Sequence, residues 1–531
     1  MLDEICQRSA PAASIDFVLW GPMHVVFSGF SPPGQPASAD PSRESLLRQR
    51  SAWRAAGRKL LVAVVLGIVL PCTASAHQRL LRSDPESGSQ LSDVPRVIRL
   101  VFNENVELAV SRVSLAGPNG PIPLGAPRLD ADSANILIAE VSAPLVSGTY
   151  RITWQVVGSD GHPVRGEVPF TILPDAFGLT GTDPGPLAPG VSSLPAEHHA
   201  QGSPADSGFD AESPLYALVR WLTFGGLLAL IGVVAFRVLV LGLVSRKWEP
   251  AGSTILAPAA SRATRMGLVA IGVLAVALLL RLYAQSYALH GPREALDPDL
   301  IGTMLSRTLW GWGWLLQLAG TLFALGGLLL ARRNNRAGWM LTGLGAIALA
   351  FTPSLSGHAA AERELTALAI LADGLHVLGA GGWLGTLLVV LLVGIPVALH
   401  RIDEPRGEAV AALINAFSPT ALFFAGMVVV TGTVSAWLQL GSIPALWQST
   451  YGRMLLLKLA VLILVFGTGA YNWLKVRPAL GSEVAAQRLR RSAKFELAIG
   501  IVVLAITAVL TATPPPGEEI APSVSTPAVS N

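Results

Sequence analysis

Nine histidines carry most of the chemical information in this 531-residue chain: His24, His77, His162, His198, His199, His290, His358, His376 and His400. His77 directly follows Ala74-Ser75-Ala76, the small-residue pattern at which a secretory leader is cut, so cleavage makes it the first residue. A terminal histidine offers two nitrogens, the α-amine and the ring, that close a chelate on one metal. The amine's ordinary pKa of about 7.7–8.0 lets a strong Lewis acid displace its proton at neutral pH. In Gly158-Ser159-Asp160-Gly161-His162-Pro163 the carboxylate and imidazole sit two positions apart, so an extended segment presents both on one face, about 6.5–7 Å apart at the backbone. His77, Asp160 and His162 together form an N,N,N,O donor set that suits tetragonal Cu(II), with zinc as the competing ion.

A second group of ionisable residues falls inside apolar runs, where their burial is costly and function is the default reading. His358 closes one such run at its outer face, and His376 lies about 15 Å into the next at helical rise. Asp373, three residues before His376 and on the same helical face, could orient its ring or add a carboxylate ligand. The plainer reading is an interfacial His358 in water and a His376 hydrogen-bonded within a bundle. Met427 and Met454 are possible soft donors, although methionine is ordinary packing in helix bundles. Arg220, Arg237, Arg453 and Lys458 lie near the ends of their runs, where long cationic side chains snorkel to headgroups. The adjacent pair His198-His199 could capture metal weakly, although such pairs in a flexible segment are more often solvated, and the outer-loop His290 reads equally well as inert or useful.

The elements that must position these residues follow from composition. The chain is 51% hydrophobic and 14% charged, which excludes a wholly soluble protein. Its formal charge is only +3, and no basic tract or nucleic-acid motif is present, so a nucleic-acid partner is not expected. The two cysteines, Cys6 and Cys72, allow neither a disulfide framework nor a thiolate metal cluster, and both leave with the leader.

Residues 58–76 place Arg58-Lys59 before a dozen apolar residues, the layout of a secretory signal, at the end of an N-terminal extension over 1–76. From 77 to 174, short β-rich segments such as Arg96–Phe102, Val106–Leu115, Asn135–Val141, Thr149–Val157 and Val168–Leu173 alternate with turn residues and predict a small β-sandwich. Residues 175–213, rich in Gly, Pro, Ser and Ala, predict a flexible linker with a reach of roughly 30–40 Å. Eight apolar runs over 214–513 predict an all-α, eight-helix transmembrane bundle, and 514–531 reads as a disordered tail. With the sandwich exported, the loops assigned to the cytoplasm hold fifteen Lys and Arg and those assigned outside hold two, as the positive-inside rule requires. Leader and loop charge therefore agree on one topology.

The segments His77-Gln-Arg-Leu80, Ser83-Asp-Pro85, Leu100-Val-Phe-Asn-Glu104 and Ser147–Gly166 resemble the CopC family of periplasmic copper-binding proteins, across essentially all of 77–174. The resemblance implies an Ig-like Greek-key sandwich and Cu(II) held by His77, Asp160 and His162. No methionine lies within 77–174, so the Met-rich Cu(I) site of some relatives is absent. Tyr150 and Trp154 read as core aromatics. Gly357-His358-Ala359, Asp373-Gly-Leu-His376, Trp383-Leu-Gly385, Thr431-Gly432 and Tyr451-Gly-Arg-Met-Leu-Leu-Leu-Lys458 resemble the CopD family of inner-membrane proteins over most of 340–475. That resemblance implies copper uptake past His358 and His376.

The expected function is thus binding and transport with no catalysed reaction: Cu(II) captured in the periplasm and passed through a multi-pass protein of the bacterial inner membrane. Two other readings compete. His358 and His376 could bind haem in a membrane redox protein, or the chain could sequester copper for resistance or sensing without moving it.

Overall fold

The computed structural model describes residues 79–158, 161–177, 213–247, 252–333, 335–356, 365–400, 406–476, 483–513 and 516. The leader, the linker with His198 and His199, the tail, and the candidate ligands His77, Asp160 and His358 lie outside the described residues.

Alternating apolar positions build the first domain. Strands β1 (Leu80–Asp84), β3 (Val97–Phe102), β7 (Ile136–Glu140) and β6 (Arg128–Leu129) form one sheet in the order β1-β3-β7-β6. The second sheet has the order β2-β9-β8-β4-β5, with β2 (Gln90–Leu91), β4 (Arg112–Gly117), β5 (Gly120–Ile122), β8 (Gly148–Val157) and β9 (Pro163–Ile172). Every other residue of β3 and β8 points inward, so Ile98, Leu100 and Phe102 meet Tyr150, Ile152, Trp154 and Val156 in one core. Tyr150 stacks on Phe170 at 5.3 Å, and Phe102 meets Trp154 edge-on at 5.2 Å. The Tyr150 hydroxyl accepts the Val146 N–H and donates to the Val146 carbonyl, both at 2.8 Å, pinning the corner before β8.

The segment Val106–Leu115, expected as one strand, is interrupted. Val106 makes an isolated bridge to Gly158, a 3₁₀ turn follows at Leu108–Val110, and β4 starts at Arg112. The turn aims Glu107 and Val110 out of the sandwich toward the helices.

The helical domain comprises α1 (Pro214–Lys247), α2 (Gly252–His290), α3 (Pro298–Arg307), α4 (Leu309–Ala331), α5 (Arg336–Phe351), α6 (Thr366–Leu399), α7 (Arg406–Leu440), α8 (Thr450–Lys475) and α9 (Glu483–Leu510). Among the described residues seven helices are long and apolar enough to cross a membrane. The run expected to span over 338–357 is shorter: α5 has 16 residues, about 24 Å at helical rise against a hydrocarbon core of about 30 Å. It is followed by a 3₁₀ turn at Ser354–Ser356, so the expected count of eight reduces to seven long helices and one short apolar one.

Small residues let the helices meet, as they do where lipid supplies no hydrophobic driving force. A side chain on Gly385 would fall on the Leu228 carbonyl, and one on Gly232 would fall on Gly385, so α1 and α6 touch backbone to backbone. That contact lies in a π-helical turn, Gly381–Gly385, whose Trp383 stacks on Phe466 of α8 at 5.0 Å.

Candidate metal centre

Two of the three expected sandwich ligands, His77 and Asp160, are not described, but the backbone around them is. β1 begins at Leu80, paired with Phe102, and Arg79 exchanges hydrogen bonds with Asn103. Val106, three residues beyond Asn103, bridges Gly158 at the mouth of the loop that leads to His162. The start of β1 and the 158–162 loop therefore share one end of the sandwich.

This end is seated on the helical domain. Gly161 has φ +83°, a conformation that disfavours any side chain, and a Cβ there would lie 2.7 Å from Cδ1 of Trp310 on α4. Gln285 of α2 donates to the Gly161 carbonyl. His162 is 8% exposed, and its Nε2 lies 3.2 Å from Nη2 of Arg220; a guanidinium nitrogen cannot accept, so Arg220 donates and Nε2 accepts. Arg220 in turn lies over the Tyr216 ring at 4.6 Å. Around this centre, Gln155 donates to the Leu289 carbonyl at 3.1 Å and Arg165 to that of Ala288 at 3.2 Å. Val110 and Val157 of the sandwich pack with Leu289, Met304, Trp310 and Trp314 of the helices. Glu107 accepts the Leu309 N–H at 3.3 Å, and burial pushes its carboxyl above the usual range.

Contrary to the snorkelling expected from its position, Arg220 turns its guanidinium to His162 and Tyr216. Arg237 also faces protein, 5.7 Å from the Trp339 ring centroid. Arg453 is exposed and reaches back to Thr450, as its end position suggested.

The second group sits in the half of the bundle built from α6, α7 and α8. His376 is half-buried, and its Nδ1 lies 3.1 Å from the Thr431 hydroxyl, which itself donates to the Met427 carbonyl at 2.7 Å. With its only proton committed to Met427, the Thr431 oxygen accepts from Nδ1–H. That tautomer leaves a lone pair on Nε2, the form in which imidazole binds metals. A Cβ on Gly432 would come within 3.1 Å of the ring, so Thr431-Gly432 supplies both the orienting oxygen and the space. Asp373 does not orient His376. Lys458, on α8, is half-buried. The Tyr451 hydroxyl donates to Gln439.

Among the described residues no cluster of three or more His, Cys, Asp or Glu forms a closed metal site. His162, on the sandwich, faces Arg220, and His376, on α6, faces Thr431, so the two lie in different domains. Thr431, Lys458, Arg220 and Glu107 acquire their roles only in three dimensions. For Lys458 a signal existed: it lies eight residues into α8, about 12 Å, deep for a chain meant to reach headgroups.

Residues 80–173 match the CopC domain family, 210–368 the N-terminal domain of copper resistance protein D-like proteins, and 411–510 the copper resistance protein D family. The chain is 28% identical over 465 residues to the copper transport protein CutJ of Bacillus subtilis (strain 168), covering 86% of this chain and 78% of that protein. It is 34% identical over 119 residues to copper resistance protein C of Escherichia coli, covering 20% of this chain and 90% of that one. The crystal structure of CopC from Methylosinus trichosporium OB3b matches at 28% identity over 18% of this chain and 94% of that one, with a TM-score of 0.17. The chain belongs to the CopC–CopD copper-handling family, a CopC domain joined to CopD membrane domains.

Proposed function

We propose that this protein imports copper: the sandwich captures Cu(II) in the periplasm with His77, Asp160 and His162, and the helical domain carries it inward past His358 and His376. The observation that carries this reading is the docking of the His162 loop on α1, α2 and α4. A pure sequestering protein has no need to seat its ligand loop against membrane helices. Arg220 donates to Nε2 of His162, which puts the neutral ring's proton on Nδ1, so Arg220 must yield Nε2 when copper binds. Its positive charge also repels a bound cation, which favours release from the docked loop.

Inside the bundle, His376 offers a lone pair on Nε2, and the carboxyl of Asp373, three residues before it on α6, is an acid available to a cation leaving water. Copper is cargo throughout, and no step requires a bond to be made or broken in a substrate.

The test is cellular copper content with the full chain, with His162→Ala and with His376→Ala. Import requires accumulation to rise with the native chain and to fall in both variants. Accumulation that never depends on the chain overturns transport and leaves sequestration. A Soret band in the purified protein would favour the haem reading.

A further inference from the structure

Copper handling leaves one buried acid unused. Glu496 of α9 is 5% exposed, the only carboxylate side chain classed as buried among the described residues. Helices α1 and α9 are antiparallel neighbours, with Leu504 against Gly225 and Gly500 against Leu384, whose neighbour Gly385 rests on Leu228 and Gly232. Glu496 is eight residues before Leu504, about 12 Å farther from the sandwich. It therefore occupies the half of the bundle remote from the docked copper loop.

Its surroundings are short of donors. Asn472 Nδ2 donates to Glu496 Oε2 at 3.1 Å, and Asn472 Oδ1 is buried with no hydrogen-bond partner. Gly469 leaves open the space beside Oε1, which lies 3.6 Å from where a Cβ would stand. Asn472 begins a π-helical turn, Asn472–Val476, the kind of irregularity that marks functional positions in helices. No charged group of the packed helices faces the pair among the described residues. Lys494, Arg490 and Arg491 on α9 are exposed, as are Tyr471 and Lys475 on α8 and Glu408 on α7. Arg237 of α1 lies over Trp339, and His400 at the end of α6 is bonded to the Pro396 carbonyl.

A buried carboxylate with one donor, beside an orphaned amide oxygen, is a costly arrangement, and a single proton repairs it. We propose that Glu496 and Asn472 form a proton-binding site, in which the protonated carboxyl donates its O–H to Asn472 Oδ1 while Asn472 Nδ2 donates to the other carboxyl oxygen. Uptake and release exchange one H⁺ at a carboxyl oxygen, with only an O–H bond made or broken and no electron transfer. Two oxygens of this kind are too few and too hard to retain copper against histidine sites, so the proton is the cation that fits. This goes beyond the copper reading and does not rest on it; if copper does pass, the site supplies a coupling ion.

Infrared difference spectroscopy of the full chain in lipid, titrated in pH, tests it. A protonated-carboxyl C=O band present at neutral pH, lost in Glu496→Gln, shifted in Asn472→Leu and retained in Asp373→Asn, is expected. Absence of any such band in the native protein, or its loss in Asp373→Asn instead, overturns the proposal without recourse to a variant that fails to fold. In vesicles, adding Cu(II) outside the native protein should change the pH of the lumen, and Glu496→Gln should abolish that change while proton release at the sandwich persists. Native protein that carries copper with no proton movement overturns the coupling role. Failure to carry copper at all counts against import alone, since the infrared titration stands apart from it.

Discussion

Replacing Gly161 by alanine separates docking of the copper loop from folding of the sandwich. At φ +83° an alanine costs about 1–2 kcal/mol whether or not the loop is docked. Its Cβ would also stand 2.7, 2.9 and 3.1 Å from three Trp310 carbons. Carbon pairs prefer about 3.5–4.0 Å, and such overpacking typically costs about 1–3 kcal/mol. Only the docked state bears this second cost, so the docked-to-undocked ratio should fall roughly 5- to 150-fold. A chain beginning at His77 carries no cysteine, so spin labels at Ala131→Cys and Ile443→Cys report the sandwich-to-bundle distance without background. Gly161→Ala should broaden that distance distribution toward longer values, and the same change in a Trp310→Ala background should have a much smaller effect. An equal effect in both backgrounds would refute the idea that the loop is seated on Trp310.

Other outcomes follow from individual contacts. Because burial raises the Glu107 carboxyl above its ordinary value of 4.5, its contribution to docking is complete below that pH and fades as pH climbs through the docked value; distance measurements across pH should show this, and Glu107→Gln should flatten the profile. Tyr150→Phe strands the Val146 N–H and should destabilise the sandwich by about 1–3 kcal/mol in denaturant titrations while leaving copper affinity unchanged. Thr431→Val frees the His376 ring and Gly432→Ala crowds it, so both should lower copper uptake toward that of His376→Ala, while sandwich binding of Cu(II) persists. Uptake at the native level in both would remove Thr431-Gly432 from the pathway.

Most of the architecture was legible because burial imposes simple periods. Alternation placed β3, β7 and β8 within a residue or so, since a strand facing one core must repeat every second position. The apolar runs likewise fell on the observed helices, although α2 runs on to His290, well past its expected end, because helix geometry continues into polar residues that hydropathy discounts. What stayed hidden depends on contacts between distant segments. The 3₁₀ turn at Leu108–Val110 exists because Val110 and Glu107 meet helices some 170 to 200 residues away. Arg220 looks like any cation near a helix end until His162 is placed beside it. Glu496 sits among Arg490, Arg491 and Lys494, a stretch that reads as a charged span edge, and only packing against Gly469 and Asn472 reveals it as buried. Of the candidate site, His162 and His376 stand out in the sequence, whereas Arg220 and Thr431, which contact them, do not.

The most direct test of the central proposal is the electron paramagnetic resonance spectrum and affinity of Cu(II) in the mature chain beginning at His77, compared with the same chain carrying one extra residue ahead of it. The terminal amine is a ligand only when His77 comes first, so the extension should change the nitrogen hyperfine pattern and weaken binding. An unchanged spectrum with unchanged affinity would contradict capture of copper by the histidine that cleavage exposes.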